Sequence, residues 1–124
     1  MKWTILLIIA AVIVIVYLLK QGSEVSSADA VKYLKKGAVV IDVRSAGEYN
    51  ADHLPSAINI PVEVIESAVP QRVQDLDQVL LLHCQSGMRS ALAVRKLKAI
   101  GYTHVFNLGS LARAREIVAK AAEN

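Results

Sequence analysis

The sequence predicts an α/β domain, with a central and mainly parallel sheet flanked by helices, preceded by one transmembrane helix. Three observations carry this reading. From Trp3 to Leu19 every residue but Thr4 is apolar. Beyond that run, Ala38-Val39-Val40-Ile41-Asp42-Val43 and Val79-Leu80-Leu81-Leu82-His83 are short, near-continuous apolar stretches, the pattern of strands buried on both faces of a parallel sheet. Helical patterns alternate with such stretches, which is the order of a parallel α/β domain.

A chain of 124 residues leaves room for one compact domain and excludes a two-domain enzyme. Its apolar share of 54% is concentrated at the N-terminal end, and beyond Leu19 it falls to roughly half, an ordinary globular value. The net charge of +3 also depends on that end: without Lys2 and Lys20, 12 basic residues face 11 acidic ones. Such a balance gives no footprint for nucleic acid. A single cysteine, Cys84, excludes an intrachain disulfide, a dithiol centre and a thiolate zinc cage, so chemistry there must use one sulfur.

At about 1.5 Å per residue, residues 3–19 reach roughly 26 Å as a helix, close to the hydrocarbon thickness of a bilayer. Trp3 and Tyr17 lie near the two ends, where aromatic rings favour the interface, and Lys2 and Lys20 bracket the run and can snorkel to the headgroups. The expected division is a transmembrane anchor at 3–19, a linker at 20–26 and a folded domain at 27–124. Two alternatives stand beside it, a cleaved signal peptide and a buried core helix. The only small-x-small match downstream, Ala28-Asp29-Ala30, falls inside the first helix of the domain, where cleavage would damage the fold.

Ser26-Ser27-Ala28-Asp29 opens like a capped helix, expected over 27–36 with Gly37 at its end. A strand follows at 38–43, with further strands expected at 57–60, 79–83 and 105–107. Helices are expected at 46–51, 64–69, 88–100 and 111–121. In the third of these Ala93, Val94, Leu97 and Ile100 share a face, Arg95, Lys96 and Lys98 point away, and Gly101 stops the helix.

The chemistry is expected where the strand ending in His83 runs into Cys84-Gln85-Ser86-Gly87-Met88-Arg89 and a helix begins at once. Such a loop turns successive backbone N–H groups inward, Gly87 supplies a φ that other residues resist, and the helix N-terminus adds partial positive charge. With Arg89 closing the loop, the cradle suits an anion on or beside sulfur and depresses the thiol below its free pKa of about 8.5. His83 neighbours Cys84, but adjacent residues of a strand face opposite ways, which argues against a base role. His53 is expected to cap a turn, His104 has no motif, and no ligand spacing joins the three histidines, so no metal is assigned.

Cys84-x4-Arg89 after a buried strand resembles the active-site loop of the rhodanese, or thiosulfate sulfurtransferase, domain. Ile41-Asp42-Val43-Arg44, Glu48-Tyr49 and His53-Leu54-Pro55-Ser56-Ala57-Ile58-Asn59-Ile60-Pro61 resemble that family's N-terminal signature, and Gly101-Tyr102 with Asn107-Leu108-Gly109 extends the likeness over about 27–110. Within the family the chain is most similar to small single-domain members of the phage-shock E type, which are exported in bacteria. Ser56 stands where a Gly is frequent, Gly109-Ser110 replaces a common Gly pair, and the family's tryptophan after that turn is absent. The resemblance implies Cys84 as nucleophile, Gln85, Ser86, Gly87, Met88 and Arg89 as the substrate cradle, Asp42 and Arg44 as support behind it, and no cofactor.

The expected reaction is sulfur transfer. Cys84 takes the outer sulfur of thiosulfate or a small persulfide, holds it as a persulfide, and passes it to an external thiol or cyanide. Two other functions compete. A membrane-tethered rhodanese-fold module would bind a protein partner or relay sulfur to it. Phosphatase or arsenate chemistry would use His83-Cys84 and Arg89, but Cys-x4-Arg is one residue shorter than a Cys-x5-Arg oxyanion loop, and no general-acid Asp stands nearby. The expected location is the bacterial inner membrane, single-pass, with the domain on the periplasmic side, although Lys20, Lys32, Lys35 and Lys36 oppose that orientation.

Overall fold

The computed structural model describes residues 2–123; the side chains of 19–23, Lys20 among them, lie outside the described residues. Helix α1 spans Lys2–Ser23, and its described apolar side chains, from Trp3 to Leu18, are exposed. Among the described residues no helix is long and apolar enough to cross a membrane. The transmembrane helix expected at 3–19 is therefore not shown: the described side chains end at Leu18, short of Leu19 and of the basic flank. The linker expected at 20–26 is also largely absent as extended chain. Helix α1 runs to Ser23, Glu24 bridges to Asn107, and the Val25 N–H donates to Asn107 O at 2.9 Å.

The domain then follows the alternating pattern. Ser26 caps α2 (Ser27–Lys35) by accepting the Asp29 N–H. Strand β1 (Val39–Asp42) leads to α3 (Ala46–Ala51), which opens with a complete capping box between Ser45 and Glu48. After β2 (Ile58–Asn59) a 3-10 turn at Val62–Val64 enters α4 (Ile65–Arg72), then come β3 (Leu80–Cys84), α5 (Met88–Ala99), β4 (Val105–Ser110) and α6 (Leu111–Ala122).

Among the described residues four strands pair in parallel, in the order β2-β1-β3-β4. Central β3 is buried along its whole length, in keeping with its near-continuous apolar sequence. Leu80, Leu82 and Cys84 face the side of α4 and α5 and pack with Ile65, Val69, Ala93 and Leu97. Leu81 faces the side of α2 and α6, with Ala30, Leu108, Ala114 and Ile117. Ile100 departs from the expected apolar face: it caps α5 beside Gly101 and is 39% exposed.

The β3–β4 register carries a bulge. Leu82 pairs with Asn107 but His83 with Gly109, so Leu108 is the extra residue. Past the bulge the ladder continues to Cys84 and Ser110, which makes β4 three residues longer than expected and brings its end under the loop after β3.

Candidate active site

Cys84 is the last residue of β3, and the chain turns immediately. Gln85 and Ser86 are exposed, Gly87 is buried at φ +95°, and α5 begins at Met88. Only glycine takes that backbone without strain, and a Cβ there would lie 3.3 Å from Glu24 Oε1 and 3.5 Å from the Gly109 backbone. The turn aims the Gly87 N–H back at Cys84 Sγ, at 2.9 Å. Ser90, in the first turn of α5, brings its Oγ to 3.5 Å from the same sulfur.

Asn107 braces this loop from below. Its Nδ2 donates to Gly87 O at 3.1 Å, and its Oδ1 accepts the Ser90 hydroxyl at 2.7 Å and the Gly109 N–H at 2.9 Å. A bridge between Ser86 and Ser110 closes the far side. The sulfur itself is fully buried. Burial alone would push the Cys84 thiol up, but the Ser90 hydroxyl and the N–H groups of Ser90, Gly87 and Ser86 outweigh it, and the thiol lies below its ordinary value.

The depressed thiol was expected, and Arg89, expected to close the loop, has a carboxylate partner that the spacing did not show. Its guanidinium grips Glu48 with Nη1 to Oε1 at 2.7 Å and Nη2 to Oε2 at 2.9 Å. Arg89, with Ser45, holds the Glu48 carboxyl down at about 2. The same pair, together with the nearby charges of Cys84 and Glu63, raises Arg89. Arg89 thus remains a fixed charge at the loop, oriented by a carboxylate 41 residues away in sequence.

Asp42 and Arg44 form a buried pair behind the loop. Arg44 Nε lies 3.0 and 3.1 Å from the two Asp42 oxygens and Nη2 lies 2.8 Å from Oδ2. The remaining guanidinium bonds reach Gln85 Oε1 at 3.1 Å and Asp52 O at 2.6 Å, so the pair holds the first loop residue in place. His83 is buried on the other face from the sulfur. Its Nδ1 is 3.3 Å from Cys84 O and its Nε2, 3.8 Å from Asp42 Oδ2, has no hydrogen-bond partner. His53 stacks on Tyr49 at 3.8 Å and bonds Tyr49 O, fastening the end of α3, while His104 Nδ1 lies 2.8 Å from Thr103 Oγ1.

Ser90 was not singled out from the sequence, and Asn107 was named only within the family likeness, with no role at the site. A signal existed for Asn107, a polar residue between Phe106 and Leu108 in a strand, since buried polar groups carry a bonding role.

The rhodanese-like domain model matches residues 26–112. The chain is 37% identical over 71 residues to thiosulfate sulfurtransferase PspE of Escherichia coli (strain K12), covering 57% of this chain and 68% of that protein. It is also 37% identical over 82 residues to the human thiosulfate:glutathione sulfurtransferase, covering 56% of this chain and 71% of that one. Among solved structures, the human single-domain sulfurtransferase TSTD1 superposes with a TM-score of 0.65 at 32% identity, covering 76% of this chain and 96% of that one. Fold, loop and relatives agree: the chain belongs to the rhodanese-like domain family and is a rhodanese-type sulfurtransferase.

Proposed function

We propose that Cys84 carries the transferred sulfur, with thiosulfate or a small persulfide as donor and an external thiol or cyanide as acceptor. The Cys84 thiolate attacks the outer sulfur of thiosulfate. A bond forms between the two sulfurs, the bond to the sulfonate sulfur breaks, and sulfite departs with the electron pair. The acceptor then attacks the terminal sulfur of the Cys84 persulfide, and the Cys84–sulfur bond breaks to return the thiolate. With no second cysteine in the chain, the acceptor comes from outside. The observation that carries this reading is the Gly87 N–H aimed at Cys84 Sγ from 2.9 Å, with Ser90 beside it, a donor set that favours negative charge on sulfur. The loop residues Gln85 to Arg89 form the cradle for the donor, Arg89 facing its anionic end, and Asp42 and Arg44 hold the cradle from behind.

Intact mass after incubation with thiosulfate tests it. The wild type should gain one sulfur that cyanide removes, and Cys84→Ser should gain none. Thiosulfate:cyanide activity retained in the Ser variant would refute the assignment.

The reading extends to placement: α1 serves as a single-pass anchor in a bacterial inner membrane, the domain lying on the periplasmic side. The support is the exposed apolar surface of α1 from Trp3 to Leu18, about 24 Å long at 1.5 Å per residue. Retention in the membrane fraction after alkaline carbonate washing, and release on deleting residues 2–19, are the expected results. A protein sulfur acceptor at the same membrane face would use the same persulfide.

A further inference from the structure

We infer that Glu24 is a positioning residue for the Cys84 loop, acting with Arg113 as a strut that holds the loop from behind its two left-handed glycines. This rests on the proposed role of Cys84. Glu24 is the first residue beyond α1, and three independent contacts fix it to the site. Its backbone bridges to Asn107, the residue whose side chain bonds Gly87 O and the Ser90 hydroxyl. Its carboxylate occupies the space that glycine leaves open at both turns: a Cβ at Gly87 would lie 3.3 Å from Glu24 Oε1, and one at Gly109 would lie 3.2 Å from it. Glu24 Oε2 lies 3.8 Å from Arg113 Nε.

Arg113 fastens the arrangement from α6. Its Nη1 donates to Leu108 O at 2.7 Å, in the β4 bulge, and its Nη2 donates to Val25 O. One guanidinium therefore ties the bulge, the incoming segment and the Glu24 carboxylate together. Removing the carboxylate side chain opens a gap directly behind Gly87, the residue whose N–H faces the sulfur. Its negative charge by itself would disfavour a thiolate, so a strut and a mere charge act in opposite directions on Cys84.

The test is the pH dependence of Cys84 alkylation by iodoacetamide in the full chain, with thiosulfate kinetics alongside. Glu24→Ala should raise the alkylation midpoint by about half a unit or more and lower kcat/KM several-fold. Glu24→Gln, which keeps the shape and loses the charge, should leave the midpoint at or below the wild-type value. A midpoint that stays or falls in Glu24→Ala overturns the inference. Should that variant not fold, Glu24→Asp, which draws the carboxylate back by one methylene, carries the same test with the same two outcomes. Because alkylation reads the thiol itself, its result is separate from the mass measurement on the persulfide.

Discussion

Arg89 is held by Glu48 through a two-pronged pair, 2.7 Å from Nη1 to Oε1 and 2.9 Å from Nη2 to Oε2. Such a fork fixes the guanidinium plane, so the loop presents a charge of set direction rather than a mobile one. Glu48 is shared with the capping box of α3, which couples the start of that helix to the start of α5.

Arg89→Ala should release the Glu48 carboxyl from about 2 toward its ordinary 4.5, measured by NMR titration. The sign for stability follows: a carboxyl held low stabilises the fold above its unfolded pKa, and that contribution is lost as pH falls from there through about 2. The variant should also lose about tenfold in kcat/KM for thiosulfate, roughly 1.4 kcal/mol. A Glu48 that still titrates near 2 would show that the Ser45 bonds alone hold it.

Ser90→Ala should raise the Cys84 pKa, because it removes a hydrogen bond to the charged sulfur. The hydroxyl has one proton and three acceptors in reach, Asn107 Oδ1 at 2.7 Å, Gly87 O at 3.1 Å and Cys84 Sγ at 3.5 Å. The short bond serves the resting loop, and a charged sulfur draws the proton toward itself. An unchanged alkylation midpoint in Ser90→Ala would assign Ser90 to bracing Asn107 alone.

Burial lowers the His83 pKa below its ordinary 6.5, against the opposing pull of Asp42. The unfolded chain therefore binds a proton that the folded one refuses. Stability rises with pH between the folded value and about 6.5, and it falls as pH drops through that window. Urea unfolding at a series of pH values should show this acid limb in the wild type and a shallower one in His83→Gln. Equal slopes in the two proteins would remove His83 from the proton balance.

The elements with strong local signals were legible in the sequence. Helix α3 lies at the expected 46–51, and the apolar run of β3 announces a central strand. The Cys84–Gly87 turn was legible for the same reason, since the required φ leaves few residues to choose from. The rest depends on contacts between distant segments. Arg89 reads as a free charge until α3 brings Glu48 to it, and Ser90 reads as one polar helix residue until α5 packs over β4 with Asn107 beneath it. Glu24 reads as part of a polar tether, because no local pattern shows that it lies against Gly87 and Gly109.

Testing the proposed membrane anchor and its orientation needs a reporter other than Cys84, because that sulfur is fully buried and a bulky impermeant reagent reaches it poorly. Lys98 lies on the exposed face of α5, far along the helix from the loop, so a cysteine there is open to solvent. In the Cys84→Ser, Lys98→Cys double variant, an impermeant maleimide should label intact spheroplasts as fully as detergent lysates if the domain is periplasmic. Labelling only after lysis would put the domain in the cytoplasm, in keeping with the basic residues Lys32, Lys35 and Lys36 that follow α1. Recovery of a soluble chain lacking residues 1–20 would replace the anchor with a cleaved leader.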